Sequence, residues 1–163
     1  MTLEATGADI DIGKFWKTLG ERPIGATVVT ARGAGGPVGF LGLSAAHVTA
    51  NPPTMLVSID RKTSALTSVL ESGHFAVNFL PEGQAALANM FGGKGEKVFA
   101  EGDWDTLATG APVFNAALGV FDCAVDKVVE HGDISIIIGT VKGVRAKGDG
   151  APLIFFRGKF LSD

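Results

Sequence analysis

The residues with the clearest potential for chemistry lie in four short segments. The first, residues 39–53, combines small residues with the hydroxyl groups of Ser44 and Thr49. Small side chains let a flat ring lie against the backbone, whose N–H and C=O groups can pair with the polar edge of a heterocycle. A Gly/Ala-rich strand packed against a neighbouring strand has the same composition. The segment therefore predicts either a ring-binding surface or ordinary sheet packing.

Two further segments have features of a phosphate site. Residues 60–64 open a predicted helix with two cations and two hydroxyl groups, and a helix N-terminus attracts anions. A plain helix cap in a solvated basic turn would have the same sequence. Residues 91–97 form a glycine-rich loop with Lys94 and Lys97, which either closes over a phosphate or ends a helix as a mobile loop.

The fourth segment, residues 155–160, places three Phe residues beside Arg157. Such a group can stack on a second ring and hold an anionic dinucleotide, although an edge strand of a barrel has similar residues. The single cysteine, Cys123, is expected in the core, because no His or cation lies near it in sequence to activate it.

The catalytic motifs of most hydrolases and metalloenzymes are absent from the sequence. It contains no HExxH, CxxC or Gly-x-Ser-x-Gly, and its three histidines (His47, His74, His131) are widely separated. We expect no catalytic side chain and no metal ligand. An enzyme of this kind would depend on a cofactor that carries the reactive atoms.

Composition restricts the function classes further. Of the 163 residues, 46% are hydrophobic and 19% charged, and the mean hydropathy is +0.30. Because no apolar run approaches the roughly 20 residues of a bilayer span, we expect no membrane and instead an oligomer interface. The net charge of −3 argues against nucleic acid as a partner. The lone cysteine and the short acidic N-terminus predict a cytoplasmic protein.

The elements that position these segments are mainly β-strands. Hydrophobic periodicity and turn residues predict antiparallel strands that form a closed or nearly closed barrel, with two or three short helices between them. We expect a single domain over residues 1–163, with 1–11 as a loose extension. The predicted helices are 11–20 (apolar face Phe15, Trp16 and Leu19), 63–71 (Leu66, Val69 and Leu70 inward) and 82–91. The predicted strands are 27–30 with 38–43, 54–60, 75–80, 119–130 with 134–147, and 152–161, and residues 95–113 are expected to be irregular.

The order of several short motifs resembles one known family. They are Gly-Ala-Thr-Val-Val-Thr at 25–30, Pro-Val-Gly-Phe at 37–40, Asn-Pro-Pro at 51–53, Gly-His-Phe-Ala-Val-Asn at 73–78, Thr-Gly-Ala-Pro at 109–112, Phe-Asp-Cys at 121–123 and Arg-Gly at 157–158. Between about Phe15 and Phe160 they resemble the flavin reductase-like, FMN-binding split-barrel family. The resemblance implies a mainly β fold: an antiparallel, Greek-key-like split β-barrel.

The resemblance also implies a homodimer with flavin near the subunit interface, and it assigns contacts to three groups of residues. The flavin ring would contact Leu41, Gly42, Leu43, Ser44, Ala45, His47 and Val48. The phosphate side of the flavin would meet Lys62, Thr63, Ser64 and Lys94, and the nicotinamide would meet Phe155, Phe156, Arg157 and Gly158.

The activity implied is hydride transfer from NADH or NADPH to FMN or FAD, with reduced flavin passed to a transient oxygenase partner. The alternatives are a ferric or cob(II)alamin/corrin reductase with bound flavin, and a flavin-binding protein without turnover. Three positions depart from the family pattern. Ile134 replaces a frequent His, Phe156 replaces a frequent Tyr, and Ala45 replaces an aromatic residue. These departures leave the nucleotide preference open.

Overall fold

The computed structural model of the protein describes residues 2–161. In this part of the chain the helices are a 3-10 turn at Gly7–Asp9, α1 (Ile12–Leu19), α2 (Ala65–Ser72) and α3 (Ala85–Gly92). The strands are β1 (Ile24–Gly25), β2 (Thr27–Gly33), β3 (Gly36–Leu41), β4 (Ala46–Ala50), β5 (Pro53–Asp60), β6 (His74–Phe79), β7 (Trp104–Thr106), β8 (Pro112–Phe114), β9 (Gly119–His131), β10 (Ile134–Ala146), β11 (Ile154–Phe156) and β12 (Lys159–Phe160).

Seven strands form the main sheet, in the order β3-β2-β6-β9-β10-β5-β4, and every neighbouring pair is antiparallel. The long β9–β10 hairpin bends at two register shifts. Within residues 2–161 the sheet stays open between its edge strands β3 and β4, which is the arrangement of a split barrel. Two small sheets, β1-β11-β12 and β7-β8, complete the predicted antiparallel β architecture.

The core lies on both faces of the main sheet, because successive residues of a strand point to opposite faces. On β2, Val28 packs with Phe91 and Phe114 in one cluster, while its neighbour Val29 packs with Phe75 and others in a second cluster. The first cluster lies under α3 and β8, and the second lies under α2. Burial on both faces explains why residues 27–31 of β2 are a continuous apolar and β-branched run.

Most predicted elements are confirmed with shifted ends. The helix predicted to begin at Asp11 does so, because the Asp11 carboxylate accepts a hydrogen bond from the Lys14 N–H at 2.8 Å. The hairpin over β2 and β3, the strand β5 and the long β9–β10 hairpin also form where their periodicity places them. Since α1, α2 and α3 have eight residues each, no helix in the described part of the chain can cross a bilayer.

Three predictions about the elements are wrong. Leu70 is 45% exposed rather than inward, because α2 presents Leu66 and Val69 to the sheet. The segment 95–113, expected to be irregular, contains β7 and pairs it with β8. The last predicted strand, 152–161, is interrupted by a turn at Arg157 and Gly158, so that β11 and β12 form a tight hairpin. In addition, β4 forms within residues 39–53, for which a strand packed against a neighbour was one of the two interpretations.

Candidate functional site

A groove separates α1 and the β11–β12 hairpin from the end of β3. We call it the central groove; its volume is about 480 Å³, and its walls are mostly apolar. Small-molecule sites commonly measure roughly 300–1,000 Å³ with few polar groups. The lining residues are Trp16, Leu19, Gly20, Arg22, Ile24, Leu41, Leu43, Ser44, Phe155 and Gly158. The groove thus brings together parts of the first and the fourth predicted segments.

The backbone after β3 brings polar groups to the central groove, in addition to Arg22, which lines it. Gly42 holds the segment close to β2: its N–H donates to the Thr27 carbonyl at 2.9 Å, and a Cβ at this position would lie 2.5 Å from Val29 Cγ2. Among residues 2–161, the next three N–H groups, those of Leu43, Ser44 and Ala45, have no hydrogen-bond acceptor. Unpaired donors beside apolar walls fit the polar edge of a planar heterocycle.

The side chain of Ser44 is anchored to the neighbouring sheet. Its hydroxyl donates to the carbonyl oxygen of Ser58 on β5 at 2.9 Å. Ala45 lies beside the central groove, in a smaller cavity of about 350 Å³ that Leu43 also lines. His47 and Val48 lie further along the chain, on the exposed edge strand β4, and do not line the groove.

Residues 60–64 form a tighter turn than the sequence predicts. Asp60 accepts hydrogen bonds from the N–H groups of Lys62 and Thr63, through its carboxylate at 2.9 Å and its carbonyl at 2.8 Å. Arg61 pairs with Glu130 at 3.0 Å, which removes one of the two predicted cations. The N–H groups of Lys62 and Thr63 are therefore not available to a phosphate, because the turn itself uses them. The Lys62 amine and the Thr63 and Ser64 hydroxyls have no partner in the described chain.

The glycine-rich loop after α3 begins against the central groove. A Cβ on Gly92 would lie 3.0 Å from Leu41 Cδ2, so the end of α3 touches a lining residue. Lys97 folds the loop onto itself by donating to the carbonyl oxygens of Gly93 and Gly95. Lys94, in contrast, makes no ion pair or hydrogen bond with any residue from 2 to 161.

Arg157 is held in an unusual conformation at the β11–β12 turn. Its φ of 50° lies in the left-handed region, and its N–H donates to the Gly20 carbonyl at 3.0 Å. The guanidinium donates to Glu21 Oε2 through Nε at 3.0 Å and Nη2 at 2.7 Å, and lies 4.8 Å from the Phe156 ring centroid. These hydrogen bonds and the Glu21 charge raise the pKa of Arg157, which is therefore a permanent cation.

Sequence analysis missed the contribution of the first helix and the turn that follows it. Trp16, Leu19 and Gly20 line the central groove, and Glu21 holds Arg157. The sequence carries one signal, since Ile12, Phe15, Trp16 and Leu19 form an apolar i, i+3, i+4, i+7 stripe. In the structure these four residues are 45–78% exposed. An apolar stripe left this exposed indicates a surface that binds something.

Cys123 is fully buried, and burial followed by the charge of Asp122 raises the pKa of its thiol to about 12. Its thiolate is therefore negligible at neutral pH, so the thiol cannot serve as a nucleophile. The expectation of a core residue is confirmed.

The fold and the groove define the class of protein. The chain belongs to the flavin reductase-like family, since the model of the "Flavin reductase like domain" matches residues 19–162. This confirms the family and the split-barrel fold predicted from the order of the motifs.

Three relatives show how similar the chain is to known members. It is 40% identical over 136 residues to the FMN reductase (NADH) RutF of Ancylobacter novellus, covering 82% of this chain and 75% of the relative. It is 31% identical over 151 residues to HsaB, a flavin-dependent monooxygenase reductase subunit of Rhodococcus jostii, covering 93% and 77%. The structure of the Streptomyces globisporus NADH:FAD oxidoreductase SgcE6, in complex with NAD and FAD fragments, superimposes with a TM-score of 0.86 at 27% identity, covering 94% and 93%.

Proposed function

We propose that this protein is an NADH-dependent flavin reductase that reduces FMN and passes it to a partner oxygenase. The observation that carries the proposal is the central groove, where apolar walls adjoin the unpaired N–H groups of Leu43, Ser44 and Ala45. The names of the RutF and HsaB relatives support the same reaction. FAD as the flavin and NADPH as the donor remain the alternatives.

The chain's own residues would bind and orient the two reactants. Bound flavin supplies the atom that accepts the hydride. Leu41 and Leu43 offer apolar surface to the ring. The N–H groups from Leu43 to Ala45 can donate to the ring edge that would become electron-rich on reduction. Trp16, Leu19 and Phe155 would exclude water from the opposite side. No side chain of the groove has to act as a base, because the flavin would itself supply the hydride-accepting chemistry.

We also propose the remaining contacts that the family resemblance implies, although of these residues only Gly158 lines the central groove itself. Lys62, Thr63, Ser64 and Lys94 offer an ammonium or hydroxyl group that no described residue occupies, so they can meet a flavin phosphate. Phe156, at the end of β11, and the turn residues Arg157 and Gly158 would meet the nucleotide. His47 and Val48, on β4, are proposed as peripheral ring contacts.

We also propose a single-domain cytoplasmic protein that forms a homodimer. Every residue of β4 is exposed, and on the same face of the sheet Ala46, Leu56 and Ile138 are directly paired neighbours. A second copy of the chain would cover this apolar face. Light scattering at micromolar concentration should give twice the mass of one chain, and a monomer mass would contradict the dimer.

The reductase proposal is tested by mixing the purified protein with NADH and FMN without oxygen. Loss of flavin absorbance well above the protein-free rate is expected. Quenching of FMN fluorescence without this bleaching would leave a flavin-binding protein only. Comparing FMN, FAD, a ferric chelate and cob(II)alamin as acceptors then separates flavin reduction from ferric or corrin reduction.

Arg157→Ala is expected to raise KM for NADH by about ten-fold with little change in kcat, because the lost charge contact binds substrate and transition state alike. Steady-state kinetics at saturating FMN measures both constants. Arg145→Ala is the matched control, since Arg145 forms a similar ion pair with Asp105 and lies on β10 rather than at the β11–β12 turn. An unchanged KM in Arg157→Ala would remove Arg157 from the nucleotide site.

A further inference from the structure

A second and larger cavity adjoins the central groove and shares Trp16, Gly20 and Gly158 with it. We call it the outer cavity; its volume is about 1,010 Å³. Among residues 2–161, its charged side chains are two cations, Lys17 and Arg157, and two anions, Glu4 and Glu21. These four side chains carry no net charge together, although a pyridine nucleotide carries negative charge. Glu21 provides half of the opposing charge.

The ion pair between Glu21 and Arg157 is well formed but open to water. The two side chains are 59% and 61% exposed, and Arg157 Nη2 lies 2.7 Å from Glu21 Oε2. Exposed pairs of this kind change an equilibrium constant by at most about five-fold. An incoming phosphate oxygen, which is also an anionic acceptor, can therefore replace the Glu21 carboxylate.

The guanidinium does not depend on Glu21 alone for its position. The Arg157 N–H is bonded to the Gly20 carbonyl, and the side chain lies over the Phe156 ring. These two contacts keep Arg157 at the wall of the outer cavity when its carboxylate partner leaves. Strained residues held by their surroundings in this way are concentrated at functional sites.

We infer that Glu21 competes with the nucleotide phosphates for Arg157 and so weakens the binding of the electron donor. This inference rests on the proposed function. Neutralising Glu21 removes the competitor and gives the outer cavity a net positive charge, which favours an anionic ligand. Glu21 would therefore set the affinity for NADH without taking part in hydride transfer.

The test is the dissociation constant of NADH, measured by its fluorescence with flavin-free protein. Glu21→Gln keeps the shape of the side chain and removes its charge, so binding about two- to five-fold tighter is expected. The affinity of the variant should also fall more steeply with salt, because binding now forms an ion pair instead of exchanging one. In catalysis, KM for NADH should fall by a similar factor at unchanged kcat. Asp105→Asn, which breaks the ion pair to Arg145, should change none of these values.

The dependence on Arg157 is tested by the double variant. In an Arg157→Ala background, Glu21→Gln should no longer tighten NADH binding. If both Glu21→Gln and Glu21→Ala bound NADH no more tightly than wild type, the inference would be overturned. It would also be overturned if Glu21→Gln still tightened NADH binding in the Arg157→Ala background. If the wild-type protein neither binds NADH nor bleaches FMN, the proposed function fails instead.

Discussion

Ser44→Phe is expected to lower the affinity for FMN by roughly two orders of magnitude or more. Ser44 lines the central groove and is exposed, so a phenyl ring there would fill the groove without overpacking the core. The bulk would block the space beside the N–H groups of Leu43 and Ala45. Titration of FMN against protein, followed by flavin fluorescence, gives the dissociation constant directly.

Two further variants separate occlusion from other effects at this position. Ser44→Ala removes only the hydrogen bond to the Ser58 carbonyl and should change FMN affinity by no more than about five-fold. Thr67→Phe adds the same ring to an exposed position of α2, outside the groove, and should bind FMN like wild type. Wild-type affinity in Ser44→Phe would show that the flavin ring lies elsewhere.

Asp122→Ala is expected to lower the free energy of unfolding by about 3 kcal/mol or more. The Asp122 side chain is fully buried and accepts hydrogen bonds from the N–H groups of Ala108 at 2.7 Å and Thr109 at 2.9 Å, and from the Thr109 hydroxyl. Truncation would leave these donors without an acceptor. Urea unfolding, followed by tryptophan fluorescence and by circular dichroism, measures the loss.

The loss should be specific to the buried carboxylate. Asp126→Ala changes the same residue type on the same strand at an exposed position, and should stay within about 0.5 kcal/mol of wild type. Asp122→Asn keeps one acceptor oxygen, so its free energy of unfolding should lie between those of Asp122→Ala and Asp126→Ala. If Asp122→Ala were less than about 1 kcal/mol less stable than wild type, Asp122 would not be what holds residues 108–109 in place.

This same contact shows where sequence analysis was limited. Residues 95–113 lack a clear hydrophobic period, so they were expected to be irregular. In the structure, Trp104–Thr106 pairs with Pro112–Phe114, and Asp122 holds the intervening turn from a strand more than ten residues away. The regular structure of this segment depends on a hydrogen-bond acceptor that is distant in sequence. Such a partner cannot be predicted from the local sequence pattern.

The candidate site likewise contains residues that the local sequence predicts and residues that it does not. Residues 39–53 and 155–160 were identified as candidates from their own composition, and the central groove brings members of both together. The role of α1 was missed, because its apolar stripe is compatible equally with core packing and with a groove wall. Arg157 was expected to be available to a nucleotide, but it pairs with Glu21, which is 136 positions away in the chain.

The sequence by itself determined the helices and most strands of this protein, its class and the segments that make its candidate site. Hydrophobic period, turn residues and the order of motifs are properties of neighbouring residues, and neighbours settle local hydrogen bonding and burial. Only the tertiary structure decided which segments meet, which N–H groups remain unpaired and which charge opposes Arg157. Those outcomes depend on strand register and packing between residues far apart in the chain, because a group's partner is set by the whole fold.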